Sequence, residues 1–332
     1  MPYSLFQGGR RRRRRSLRAL PALLALVAVA AALTWVVRDA TQAEAPARPV
    51  VVQPLTDEGP APLPGGGTAP APLGVRLDST RDPVDVRFKR PPRAALLFDL
   101  DTGEVLWRCN PTKPMPIASL TKLMTALVVT ERVAPEAKVR ITKHALDYGG
   151  SGVGVLPLGK KVGVGALLHG LLLPSGNDAA RALAEHTAGS LNQFIALMNT
   201  RARRMGLSCT HFTAVDGLRD RGNHSCPADL AAIARAVQRE PRLAKIVRRR
   251  QAVLPFPIKG GRLYLYNSNP LLRQGYRGTL GMKTGYTDRA GRCLVATARR
   301  GQIRLGVVLL HSPDPGKQAM QLLDRGFRAA RQ

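Results

Sequence analysis

Ser119 and Lys122 stand three residues apart in Pro116-Ile117-Ala118-Ser119-Leu120-Thr121-Lys122-Leu123-Met124-Thr125, at the head of an apolar run. At i and i+3 of a helix, the hydroxyl and the amine share one face and can meet. A serine hydroxyl is a weak nucleophile until a neighbouring base takes its proton, and a lysine held out of water can be that base. The pair also fits an ordinary helix start, with Ser119 as N-cap and Lys122 solvated in the first turn. Two distant stretches favour chemistry over capping: Ser175-Gly176-Asn177 and Lys283-Thr284-Gly285. Together the three supply a nucleophile, a base, a hydroxyl that can pass a proton on, and a cation for a carboxylate, which is the equipment of acyl transfer. Ser-x-x-Lys and Lys-Thr-Gly each occur once in the chain. Ser-x-Asn recurs at Ser190-Leu191-Asn192, but Ser175 lies at a helix break, where side chains can project into a cleft.

The elements that would carry these residues follow from the apolar pattern. Ala94 to Asp99 reads as a buried strand, and Glu104 to Trp107 as its hairpin partner across Asp101-Thr102-Gly103. The Ser119 helix runs to about Val133. Further helices are predicted over Gly165–Leu173, Asp178–Thr187, Leu191–Met205 and Asp229–Arg239. Strands follow over Arg277–Lys283, Arg292–Arg299 and Ile303–His311, with Gly285 to Gly291 as the first turn, and Gly316–Arg328 is a closing helix. Gly149 to Gly154 lacks the strand, spacing and lysine of a nucleotide loop and is a plain loop. Two strands, a helical insert, three strands and a helix predict an α+β fold. Its parts would be an antiparallel five-stranded sheet with flanking helices and a helical subdomain.

The catalytic domain is expected over residues 82–332 of the 332-residue chain. Before it, residues 1–18 form a basic segment with six consecutive arginines, Arg10 to Arg15. The 19 uncharged residues from Ala19 to Val37 have the length of a membrane span. The positive-inside rule leaves the arginines in the cytoplasm and sends the rest of the chain across. Residues 19–38 are therefore expected to be a signal anchor, with cleavage near Ala43 or Ala45 as the alternative. Residues 39–81, rich in Pro, Ala and Gly, are an extended linker. The formal net charge is +29, and residues 82–332 still hold 40 basic against 17 acidic residues. That balance attracts polyanions such as anionic wall polymers. Nucleic acid is not expected as a partner: aromatics are only 5%, and no recognition motif is present.

Residues 91–325 resemble the low-molecular-weight penicillin-binding proteins, the serine-type D-alanyl-D-alanine carboxypeptidases. The likeness rests on Pro116 to Thr125, on Ser175-Gly176-Asn177-Asp178-Ala179-Ala180 and on Gly281-Met282-Lys283-Thr284-Gly285-Tyr286-Thr287. Asp216-Gly217-Leu218 and Asn267-Ser268-Asn269-Pro270-Leu271-Leu272 also look like the family's segments. The resemblance implies that Ser119 attacks the carbonyl between two terminal D-alanines of a peptidoglycan stem peptide. Lys122 would act as base, its pKa lowered by burial and by Lys283. Ser175 would carry the proton to the leaving amine, and Asn177 would hold Lys122 and the substrate amide. The backbone N–H groups of Ser119 and Tyr286 would receive the oxyanion. Lys283, Thr284 and Gly285 would form the wall that takes the terminal carboxylate. Arg304, at a strand start similar to the family's, would assist; the alternative is one more surface arginine. No cofactor or metal is implied, and β-lactams would acylate Ser119.

Cys209, His211, His224 and Cys226 have the look of a zinc set, but the resemblance already accounts for both histidines. In an oxidising exterior, a Cys209–Cys226 disulfide is the preferred expectation, with Cys109 and Cys293 as separate thiols. Three alternatives remain at this level. A D,D-endopeptidase would use the same residues on cross-links. A class A-like β-lactamase needs a glutamate for deacylation, and Glu240 is the only one between Leu191 and Lys283. A non-catalytic wall-binding protein would have no use for an intact Ser119, Lys122 and Lys283.

Overall fold

In a computed structural model of the full chain, residues 73–79, 82–219 and 221–330 are described. The basic segment 1–18, the predicted span 19–38 and most of the linker lie outside them. Among the described residues, no helix is long and apolar enough to cross a membrane.

The central sheet has five strands: β1 (Ala94–Asp99), β2 (Val105–Cys109), β5 (Thr279–Thr287), β6 (Gly291–Arg300) and β7 (Ile303–Leu310). Between β2 and β5 in sequence, a separate hairpin pairs β3 (Gln251–Pro255) with β4 (Arg262–Tyr266). The sheet order is β2-β1-β7-β6-β5, and every neighbouring pair is antiparallel. This is the α+β architecture expected from the sequence. The strands are apolar on both faces because both faces are covered. Leu96 and Phe98 of β1 enter the larger core with helices α1 (Lys122–Arg132) and α5 (Pro227–Arg239). Ala95 and Leu97 point into a second core with Leu322, Leu323 and Phe327 of the closing helix α7 (Pro315–Ala329). The helical part comprises α1, α2 (Val164–Leu172), α3 (Asn177–Ala188), α4 (Leu191–Arg204), α5 and α6 (Pro241–Val247).

Three local expectations are corrected. Residues 73–79, assigned by composition to the linker, lie along the domain. Buried Arg235 donates to Leu73 O (2.9 Å), Gly74 O (2.6 Å), Leu100 O (3.0 Å) and Asp101 O (2.8 Å), clamping the segment to the β1–β2 turn. Arg108 similarly holds Asp82 and Leu77. The strand predicted to stop at Lys283 runs on to Thr287, so Thr284, Gly285 and Tyr286 belong to β5 and not to a turn. Ser119 is not an N-cap. It sits inside a 3-10 turn, Ala118–Thr121, that has no side-chain cap and leads into α1.

Candidate active site

Four elements meet at Ser119. The nucleophile turn precedes α1, which starts at Lys122. Ser175 lies two residues before α3, Lys283 lies mid-strand in β5, and Asp216 belongs to the irregular segment after α4. Lys122 is fully buried, yet its ammonium is completely satisfied. Nζ lies 2.8 Å from Ser119 Oγ, 2.7 Å from Asn177 Oδ1 and 2.7 Å from the carbonyl of Asp216. Three acceptors for three protons is what keeps a buried amine from destabilising the fold. Burial pushes its pKa down to about 8, against the opposing pull of the Asp216 and Asp178 carboxylates.

Lys283 is equally buried, and its Nζ makes one hydrogen bond, to Thr284 O at 2.8 Å. Burial first, and then the charge of Lys122, hold its pKa well below the ordinary lysine value. The expected influence thus runs the other way round: Lys122 is depressed by burial alone, and the repulsion falls on Lys283. Near neutral pH, Lys122 carries the proton.

Asn177 is the hub of the middle motif. Its Nδ2 donates to Gly149 O (2.6 Å) and its backbone N–H to Ser151 O (2.8 Å). Its neighbour Asp178 accepts from Val153 N (2.9 Å) and Gly154 N (3.0 Å). The glycine-rich loop 149–154 is thereby pinned against the base. Ser175 has φ +72°, a left-handed conformation that is strained for serine, and its buried Oγ has no hydrogen-bond partner among the described residues. A buried hydroxyl without a partner is costly to keep, and it suits a group whose partner arrives with the substrate. Ser190-Leu191-Asn192 is no second site: Ser190 caps α4 by accepting from Gln193 N.

The nucleophile turn is pinched from two sides. Ala118 has φ +48°, and Gly217 (φ +76°) packs so closely that a Cβ there would lie 2.0 Å from Ala118 O. On the other side, a Cβ on Gly285 would lie 2.9 Å from Ile117 O and 3.1 Å from Ser119 N. Only glycine lets β5 pass this close. Tyr286, next in the strand, exposes its ring and donates its hydroxyl to Asp288 (3.0 Å). Gly285→Ala should therefore displace β5 from Ser119 by a few tenths of an ångström or more. The expected loss is about 100-fold in kcat, with a thermal midpoint close to wild type, read from steady-state kinetics and melting curves.

Thr284 Oγ1 lies 2.6 Å from Ser268 Oγ, which extends the Lys283 wall towards the β3–β4 hairpin. Arg304 is not part of the assembly. Register puts Lys283 level with Val295 and Val308, whereas Arg304 pairs with Arg299, roughly 13 Å further along β7. Its guanidinium is engaged by Asp101 at 2.8 Å. The sequence showed that Arg304 opens a strand but not at which level that strand is paired.

Cys209 and Cys226 are joined in a disulfide with Cα atoms 5.9 Å apart, while Cys109 and Cys293 are not disulfide-bonded. The residues of the sequence-level zinc set do not converge. The compact group is Cys209, Cys226 and Asp229, and the Asp229 carboxylate already accepts from Cys209 N and Thr210 Oγ1. The disulfide closes the loop that carries Asp216 and Gly217 to the nucleophile turn. Replacing both cysteines by serine should cost about 2–4 kcal/mol in denaturant unfolding, as expected for a 17-residue separation.

Several participants carried no sequence-level role. Asp216 contributes a carbonyl, which any residue type could supply, so its identity gives no signal. Asn223 donates to Thr121 Oγ1 (2.9 Å), and Thr121 in turn donates to Ala118 O (2.8 Å), bracing the strained turn from below.

A five-stranded antiparallel sheet with a buried lysine on a serine at the head of its central helix defines a serine acyl-transfer domain of the DD-peptidase type. The sequence profile of peptidase family S11, D-alanyl-D-alanine carboxypeptidase, matches residues 87–314. D-alanyl-D-alanine carboxypeptidase DacF of Bacillus subtilis is 33% identical over 243 residues, covering 71% of this chain and 62% of the relative. A mutant of a Streptomyces DD-transpeptidase superposes with TM-score 0.68 at 33% identity, covering 73% of this chain and 100% of that one. A D-alanyl-D-alanine carboxypeptidase from Mycobacterium tuberculosis gives TM-score 0.69 at 32% identity, covering 74% and 94%. The chain belongs to the peptidase S11 family. It spans about three-fifths of the length of the first curated relatives it matches, 57–62%.

Proposed function

We propose that this protein is a serine D-alanyl-D-alanine carboxypeptidase that removes the terminal D-alanine from peptidoglycan stem pentapeptides. The observation that carries the proposal is the wholly buried Lys122 Nζ, 2.8 Å from Ser119 Oγ and satisfied by Asn177 and Asp216. Neutral Lys122 takes the Ser119 proton as Oγ attacks the scissile carbonyl. The oxyanion forms beside the backbone amides of Ser119 and Tyr286, where the pinched turn meets β5. Ser175, whose hydroxyl has no other partner, passes the proton to the leaving amine. Lys283 and Thr284 grip the terminal carboxylate, and water then hydrolyses the acyl-enzyme. β-Lactams enter the same path and acylate Ser119.

The sequence before the domain supports a location outside the cytoplasm. Residues 19–38 would tether the domain to the membrane, or release it if cleaved, and the basic surface would favour anionic wall polymers. Mass spectrometry of the full chain incubated with pentapeptide tests the activity. Loss of one D-alanine, together with stable labelling by a fluorescent penicillin, is the expected result. Absence of both, or rapid turnover of the penicillin, would overturn it.

A further inference from the structure

The end of the sheet remote from Ser119 is rich in arginine. An open cleft of about 490 Å³ lies there, lined by Arg248, Arg277, Gly278, Arg299, Arg300 and Gly301, with no acid among its lining residues. Gly285, which passes Ser119, pairs with Cys293, and the distance from Cys293 to Arg299 along β6 is roughly 20 Å. Arg248, Arg277 and Arg299 are exposed, and among the described residues none of them forms an ion pair. Nearby acids do not offset them, because each already faces another arginine. Asp101 pairs with Arg304, Glu104 with Arg76, Asp324 with Arg300 and Glu240 with Arg242. Helix α5 also ends on this side, at exposed Arg239; its neighbour Gln238 donates to Leu280 O and Thr297 Oγ1.

The N-terminal approach to the domain lies at the same end. Arg235 gathers the carbonyls of Leu73 and Gly74 with those of Leu100 and Asp101, and Arg76 bridges to Glu104. Asp101 in turn sits beside Arg304, which is level with Arg299. The segment that leads back to the predicted span at residues 19–38 therefore joins the fold at its arginine-rich end, and Ser119 lies at the other. We infer that this end is a docking surface for a membrane: Arg248, Arg277 and Arg299 take the phosphates of anionic phospholipid headgroups, and the catalytic end is turned away from the lipid. The inference rests on the proposed location of the domain, outside the cytoplasm on a membrane tether. Anionic wall polymers would be drawn to any basic face, whereas the face beside the tether is the one held near lipid. The tether makes the contact intramolecular, so a few exposed arginines suffice where free association would be too weak. Guanidinium groups suit a phosphate because each can meet two of its oxygens through parallel hydrogen bonds.

The full chain is reconstituted with phosphatidylcholine vesicles, with and without phosphatidylglycerol, and its arginines are modified by phenylglyoxal at low extent, with the sites resolved by mass spectrometry. Phosphatidylglycerol should slow modification of Arg239, Arg248, Arg277 and Arg299 by at least about fivefold. Exposed Arg90, which shares a cleft with Tyr286 at the catalytic end, should react at the same rate on both vesicles. In an Arg248→Gln/Arg277→Gln/Arg299→Gln variant, Arg239 should lose its protection, while penicillin labelling of Ser119 should match wild type. Equal rates on both vesicles, or a variant in which Arg239 stays protected, overturn the docking surface alone. Soluble poly(glycerol phosphate) that protects the arginines as well as phosphatidylglycerol does would assign them to a wall polymer and overturn the lipid assignment. Flotation with pure phosphatidylcholine vesicles reads the tether separately. A chain that stays in solution there has no membrane anchor, and the proposed location then falls, with the docking surface.

Discussion

Ser119→Ala is expected to lose at least about 10⁴-fold in D-alanine release and to lose penicillin labelling altogether. The reason is chemical: no other hydroxyl is placed to form the ester. Ser175 is the nearest alternative by motif, but in the free site the hydroxyl that Lys122 Nζ hydrogen-bonds is that of Ser119 and not of Ser175. The variant should remain folded. Ser119 caps nothing, and alanine suits the turn that precedes α1. Lys122 Nζ would keep Asn177 Oδ1 and Asp216 O and exchange the third acceptor for water. A thermal midpoint within a few degrees of wild type, measured beside the activity, would separate lost chemistry from lost structure. Residual labelling of Ser119→Ala would mean that another residue is the nucleophile. A monomeric D-Ala-D-Ala substrate should give the same loss as pentapeptide, since the defect lies at the scissile carbonyl and not in remote binding.

The sheet and its partners were legible because their signals are local. Ala94 to Asp99 and Ile303 to Leu310 are apolar runs too short for helices and bounded by turns, and they fold as read. The β3–β4 hairpin was missed, although Arg262-Leu263-Tyr264-Leu265-Tyr266 alternates exposed and buried residues as an edge ribbon should. The neighbouring Pro255, Gly260 and Gly261 interrupt the apolar pattern there. Gly285 misled in the opposite direction: it resembles a turn residue, but it is a glycine because β5 must pass against Ser119 N. The positive φ values at Ala118 and Ser175 had no sequence signal, since neither residue type favours that conformation. The motifs fixed which residues meet at Ser119. They could not show that Arg304 lies at the wrong level of the sheet, because register depends on pairing across the whole strand.

The two buried lysines make a pH prediction that distinguishes the free enzyme from the substrate complex. In the free site Lys122 holds the proton up to about pH 8, and burial and the Lys122 charge hold the Lys283 pKa well below the ordinary lysine value. The two amines titrate as a pair. Because the base must be neutral, kcat/KM should rise with pH through an apparent pKa near 8. When the terminal carboxylate of the substrate arrives beside Lys283, it favours the ammonium there, and that charge repels a proton from Lys122. The acid limb of kcat should therefore lie at lower pH than that of kcat/KM. A substrate whose terminal carboxylate is amidated should lose this difference. Lys122→Met should lower acylation by about 10⁴-fold at every pH and remove the limb near 8. Stability gives an independent readout. A lysine whose pKa falls from 10.5 unfolded to about 8 folded opposes folding below pH 8, and that penalty is relieved as pH rises towards 10.5. Wild-type unfolding free energy should accordingly climb over that window, by on the order of 3 kcal/mol from Lys122 if burial alone sets the shift. In Lys122→Met the climb should shrink to the part contributed by Lys283. An unchanged slope would place the proton on a different group and remove Lys122 as the base.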